Sequence, residues 1–163
     1  MTAETCLERL LPRFEAYYKV LRGEDAAEPF DAEAFFSAKD EHYAFFRNVK
    51  FAEADSKEYI FFAACSELSL QEAQRLDEAA WNEGLSRVVP GPEHRNTDIG
   101  FILIADRVDP AVFTYFKKLR RHKSYKHMFH GWSNYRAVVM ETSSGQTACN
   151  RLGQDWKTLF DNI

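Results

Sequence analysis

Lys117, Lys118, Arg120, Arg121, Lys123, Lys126 and Arg136 lie in a stretch, between Asp109 and Glu141, that holds no acidic residue. With histidines neutral the stretch carries +7, and the rest of the chain sets 14 basic residues against 25 acidic ones, so the remainder is at −11 and the whole at −4. Tyr115, Tyr125, Phe129, Trp132 and Tyr135 are interleaved with these cations. Cations that meet backbone phosphates, alternating with rings on which bases stack, are the chemistry of nucleic-acid binding. A strongly polarised charge distribution also attracts small anions or an acidic protein surface.

Two structural readings stand beside this. Lys and Arg near the end of a helix complement its negative pole, a contribution of about 0.3–1 kcal/mol each, and the aromatics can be core. The cations can also neutralise the acidic remainder of the chain or of a second copy of it. Subunit contact, a small anion and nucleic acid all stay open, with a membrane partner not expected.

His122, His127 and His130 are spaced closely enough to converge on one metal ion. The positive charge around them opposes a cation, and no carboxylate or thiolate lies in the stretch, so no metal and no cofactor is expected. The chain has no Gly-rich phosphate loop, no Cys-x-x-Cys, no His-Glu-x-x-His and no Gly-x-Ser-x-Gly. A non-enzymatic domain is the favoured reading. Asp98 and Asp106 flank an apolar run, and Asp106 precedes a helix where α/β proteins often place ligand contacts; both are expected to be ordinary strand-end residues.

At 163 residues the chain fits one domain over 1–163, long enough to bury about 70% of its unfolded surface. The first residues are punctuated by Glu4, Glu8, Arg9, Arg13, Glu15 and Lys19, unlike the apolar core of a signal peptide. No apolar run approaches the ~20 residues of a membrane span. Cys6, Cys65 and Cys149 are an odd number, widely separated and among apolar neighbours, as expected of buried thiols in a reducing cytoplasm.

The elements that must position the cations follow from periodicity and punctuation. Leu7, Leu10, Leu11, Phe14, Tyr17, Tyr18 and Leu21 recur at helical spacing, predicting a helix bent or delayed at Pro12 and closed near Gly23. Phe30 to Ser37, Tyr43 to Glu53 and Glu58 to Ser66 read as a meander of three strands, the first of which can also be helical, with a turn at Ala54-Asp55-Ser56-Lys57. Each holds a Phe pair, Phe35-Phe36, Phe45-Phe46 or Phe61-Phe62. Adjacent strand residues point to opposite faces, so both faces of the sheet should be covered, by helices or by a second subunit.

Ser69 and Glu72 have capping-box spacing before a helix that stops at Pro90-Gly91-Pro92. Ile99 to Ala105 is an interior strand. Asp109-Pro110 pairs an N-cap with a first-turn proline, and the basic cluster starts on that helix. Tyr135 to Thr142 and Gln146 to Arg151 form a hairpin around Ser143-Ser144-Gly145, and a last helix buries Trp156, Leu159, Phe160 and Ile163. The expected class is α+β, in the order α-βββ-α-β-α-ββ-α, a mixed and mainly antiparallel sheet with helices packed on it.

The opening order, helix, three strands, helix and strand, resembles the restriction-endonuclease-like core. That family places an (Asp/Glu)-x-Lys triplet inside a strand; Asp55-Ser56-Lys57 falls in the expected turn, and Asp40 or Glu41 would have to supply the partner carboxylate. At Phe129-His130-Gly131-Trp132 and Asn150-Arg151-Leu152-Gly153, and at the Pro-x-x-x-His stretch Pro90 to His94, the chain resembles an uncharacterised family of small bacterial and archaeal cytoplasmic proteins. That resemblance implies a common fold and no catalytic residues. Gly131 would allow a turn with positive φ leading into the hairpin. Arg151 is either an anion contact or half of an ion pair. The candidate anion- or nucleic-acid-binding residues are thus Lys117, Lys118, Arg120, Arg121, Lys123, Lys126, His130, Trp132, Arg136 and Arg151, with self-association into a homo-oligomer a further expectation.

Overall fold

The computed structural model describes residues 1–37 and 55–163. Helix α1 (Ala3–Leu10) is capped by the Thr2 hydroxyl and runs into a 3₁₀ turn at Leu11–Arg13. The helix expected to continue to Gly23 stops there instead. Pro12 has no N–H to extend the helical bonding, and Lys19–Arg22 (β1) pairs along β2 (Ala32–Ser37), so its backbone is satisfied by the sheet. The first Phe-rich stretch is therefore strand.

β3 (Asp55–Leu68) follows β2 in the sheet. Asp55-Ser56-Lys57, expected in a turn, is in this strand; Lys57 pairs with Ser37 on β2, and Lys57, Ser56 and Asp55 all pair across to β4. Asp40, Glu41, Phe45-Phe46, Ala54 and the expected strand Tyr43 to Glu53 fall outside the described residues. Next come α2 (Leu70–Ser86), β4 (His94–Val108), α3 (Pro110–Lys118), β5 (His122–Ser124), β6 (Trp132–Glu141), β7 (Thr147–Cys149) and a closing 3₁₀ helix (Arg151–Phe160). Three caps act as their residue types dictate. Ser69 Oγ accepts from Glu72 N, Asp109 Oδ1 from Ala111 N, and Asn150 Oδ1 from Gly153 N.

The strands form one mixed sheet in the order β1-β2-β3-β4-β6-β5, with β7 also on β6. Among the described residues four of the six pairings are antiparallel; the two longest, β3 with β4 and β4 with β6, are parallel. Each parallel pair is joined by a crossover through a helix, α2 or α3, as parallel strands require. The fold is α+β.

Both sheet faces are covered by this chain's own helices. Phe61, Phe101, Leu103, Tyr135, Ala137 and Val139 pack under α2 and α3. Phe62, Ile60, Ile102, Ile104, Val138 and Met140 pack under α1 and the closing helix. The Phe61-Phe62 pair thus serves both layers; likewise Phe35 stacks on Tyr59 and Phe36 meets Tyr18 at a tilt. Cys6 and Cys149 are buried, Cys65 is half-buried, and all three are free thiols. None of the helices among the described residues is long and apolar enough to cross a membrane.

Candidate anion-binding surface

Helix α3 buries Val112, Phe113 and Phe116 and leaves Lys117 and Lys118 exposed in its last turn. The chain leaves the helix at the buried Leu119, and Arg120 returns to solvent. Arg121 does not. Its Nη2 donates at 2.8 Å to Oδ2 of Asp77, an α2 residue with 0% exposure. The same carboxylate accepts from the Tyr115 hydroxyl at 2.5 Å and from the Tyr135 hydroxyl at 2.6 Å. The Arg121 guanidinium also lies 5.8 Å from the centroid of the Tyr135 ring.

Burial and the Asp77 charge both disfavour a tyrosinate here. Burial first, then Asp77, pushes the Tyr115 pKa up to about 12, and the same causes carry Tyr135 well above its ordinary value. Burial works against the Arg121 charge, but the bond and the charge of Asp77 outweigh it, so the Arg121 pKa is raised. Arg121 is a structural ion-pair residue, with its Nε buried and unbonded. Tyr115, Lys118, Leu119, Arg120 and Arg121 line a pocket of about 270 Å³ beside this network.

The β5–β6 hairpin carries the next cations. Lys123 is exposed, its Nζ 5.7 Å from the Tyr125 ring centroid, and the Tyr125 hydroxyl meets Ser133 Oγ at 3.0 Å. Lys126, His127 and Met128 are consecutive residues at positive φ (46°, 50° and 77°), a run that L side chains adopt rarely and at a cost. This tip holds Phe129 82% exposed. Gly131, at φ 88°, takes the positive φ that glycine allows and sits so close to β4 that a Cβ would meet Arg95 O and His94 Nδ1 at 2.4 Å. His94 locks the tip from below, with Nδ1 donating to the His130 carbonyl at 2.7 Å. His130 thus contributes a backbone acceptor to the fold, and its ring is half-buried.

The sheet separates the remaining candidates. Ser124 pairs with Trp132, Lys123 with Ser133 and His122 with Asn134. Strand alternation puts Lys123, Ser133 and Tyr135 on the α2/α3 face. Trp132, Asn134 and Arg136 therefore lie on the opposite one, where the Arg136 guanidinium stands 5.4 Å from the Trp156 ring centroid. Arg151 is exposed at the start of the closing helix, which packs on that second face too. Its neighbour Asn150 is consumed by the fold, accepting from Ala137 N and donating to Tyr135 O.

Lys117, Lys118, Arg120, Lys123 and Lys126 remain. All are exposed, and among the described residues none makes an ion pair. The histidines of the stretch are dispersed. His122 Nδ1 meets Asn134 Oδ1 at 2.8 Å, while His127 sits in the tip. Among the described residues no three His, Cys, Asp or Glu side chains are placed to share an ion. Asp106 is a fold residue, accepting from Ala3 N at 2.6 Å and from the Thr142 hydroxyl at 3.1 Å.

Sequence reasoning did not single out Asp77, although its signal was present. It occupies the buried stripe of α2 with Ala73, Leu76, Ala80, Trp81 and Gly84, and an acid on such a stripe needs partners.

No curated protein and no solved structure matched this chain. The family model described as "Domain of unknown function (DUF8052)" matches residues 2–162, and the chain belongs to that family.

Proposed function

We propose that the domain binds a polyanion of the phosphodiester class, a nucleic-acid strand, through Lys117, Lys118, Arg120, Lys123 and Lys126. The observation that carries this reading is that these five exposed cations have no ion-pair partner among the described residues. Arg121, by contrast, is paired internally, so the fold does spend cations on its own acids where it needs them. Like charges held together on a surface repel one another, and an anion relieves that repulsion. The five are spread along a helix end, an edge strand and a hairpin tip, which suits an extended backbone better than one small anion. Phe129, beside Lys126, offers an exposed ring on which a base can stack.

The test is fluorescence anisotropy of labelled single-stranded DNA, duplex DNA and RNA. Five phosphate contacts should weaken binding by about 10²- to 10³-fold between 50 and 200 mM salt. A curve without saturation at either salt ends the nucleic-acid reading. Salt-sensitive self-association in the same experiment would instead assign the cations to the acidic surface of a second copy.

A further inference from the structure

On the opposite sheet face, at the N-terminal ends of the parallel strands, Glu58 of β3 and Asp98 of β4 are direct partners in register. Two carboxylates side by side on neighbouring strands repel unless something stands between them. The Glu58 carboxylate is buried and accepts from the Tyr18 hydroxyl, but its Oε1 has no hydrogen-bond partner among the described residues. A buried acceptor left unbonded is rare and calls for an explanation, an ion being one. Asp98 is held from the side: Asn134 N donates to its Oδ1 at 3.4 Å, and Asn96 bonds it through its side chain. Asn96 Oδ1 in turn accepts from the Ser56 hydroxyl at 2.8 Å.

Burial is the main cause that raises both acids, and Asp98 adds to the rise at Glu58. Arg136 is close enough to lower both. Its guanidinium is stacked on Trp156, and no ion pair joins it to either carboxylate. Trp156 itself is pressed onto the sheet beside them, over Gly100. The cluster therefore holds two acids, one offset cation, and a buried carboxylate oxygen without a hydrogen-bond partner among the described residues.

We propose that Glu58 and Asp98 form a divalent-cation site of the hard-oxygen type, for Mg²⁺ or Mn²⁺. With no third His, Cys, Asp or Glu in reach among the described residues, the protein supplies two carboxylates and water supplies the rest. That is the usual manner of Mg²⁺, which keeps several waters and takes one or two carboxylates. The ion satisfies Glu58 Oε1 and turns the repulsion between the acids into shared attraction. The site uses none of the cations on the α2/α3 face, so it stands or falls independently of polyanion binding.

The experiment is calorimetric titration of MgCl₂ and of MnCl₂ into the full chain without nucleic acid, paired with thermal melts. Wild-type protein is expected to bind one ion saturably and to melt higher as metal rises. Glu58→Gln and Asp98→Asn should each weaken binding at least tenfold while melting no lower than wild type without metal, because each removes one charge from the like-charged pair. Absence of saturable binding overturns the proposal, and so does equal binding by Glu58→Gln. Should a variant fail to fold, Mn²⁺ broadening of wild-type amide signals decides. Early loss at Asp98, Ile99 and Asn134 supports the site, and loss confined to surface acids such as Glu24 and Asp25 refutes it.

Discussion

The Arg121 guanidinium and the Asp77 carboxylate meet at 2.8 Å with the acid wholly buried, so one member of the basic segment is spent inside the molecule. Removing the acid leaves a half-buried cation and two tyrosine hydroxyls without their acceptor. Asp77→Ala should therefore cost about 3–5 kcal/mol. Arg121→Leu should cost less, since both hydroxyls still bond the carboxylate. Urea denaturation of the two variants checks this, and a loss for Arg121→Leu as large as that for Asp77→Ala would contradict it.

The same network sets an alkaline limit. Native Tyr115, near pKa 12, retains a proton that the unfolded chain releases near 10, and Tyr135 acts in the same direction. The native state then binds more protons than the unfolded state across that window, so stability is fully present below pH 10 and falls as pH rises from 10 to 12. Urea midpoints across that range should show the fall, and Tyr115→Phe should flatten it.

The sheet's division of the cations predicts a face-specific charge reversal. Lys117→Glu, Arg120→Glu and Lys123→Glu combined should abolish nucleic-acid binding with stability nearly unchanged, as exposed substitutions usually move stability by no more than about 0.5 kcal/mol. Arg151→Glu, equally exposed but on the other face, should leave the affinity within about twofold by anisotropy, the arithmetic of a difference under about 0.5 kcal/mol. Loss of binding in Arg151→Glu alone would move the surface to the opposite side.

Phe129→Ala tests the ring at the hairpin tip. The substitution should leave the melting temperature in place and weaken single-stranded DNA or RNA by about 1–3 kcal/mol, the value of one stacked base. Duplex affinity, which offers no unstacked base, should not change. Equal weakening of both would show that Phe129 does not stack.

Gly100 probes the packing between the sheet and the closing helix. A Cβ at this position would lie 2.3 Å from Trp156 Cη2, so Gly100→Ala must displace the indole and should destabilise by about 1–3 kcal/mol. Because Trp156 also supports Arg136, its fluorescence should shift in the variant. An unchanged spectrum and an unchanged midpoint would contradict this packing.

Local chemistry made much of the chain legible. Ser69, Asp109-Pro110 and the Ser143-Ser144-Gly145 turn behave as their residue types require because caps and turns are decided within about four residues. The adjacent Phe61 and Phe62 announced a sheet buried on both faces, since alternation is a local property of a strand. The clustering of positive charge and the want of acids between Asp109 and Glu141 were also plain in the sequence, and Gly131 takes the positive φ that a glycine there allows.

What depended on distant pairing was not legible. Lys19–Arg22 follows a helical pattern in sequence and is a strand, because β2 offers its backbone bonds that a helix broken at Pro12 cannot. Asp55-Ser56-Lys57 looks like a turn and is a strand, because β4, some forty residues away, binds it. The +7 segment reads as one surface, yet whether a side chain lands on one face of the sheet or the other is fixed by strand register. A one-residue step exchanges the faces. Sequence thus determined how much charge this protein concentrates and on which elements; only the tertiary structure decided that Arg121 pairs with the buried Asp77, that Arg136 belongs to the opposite face, and that Glu58 stands beside Asp98 in register.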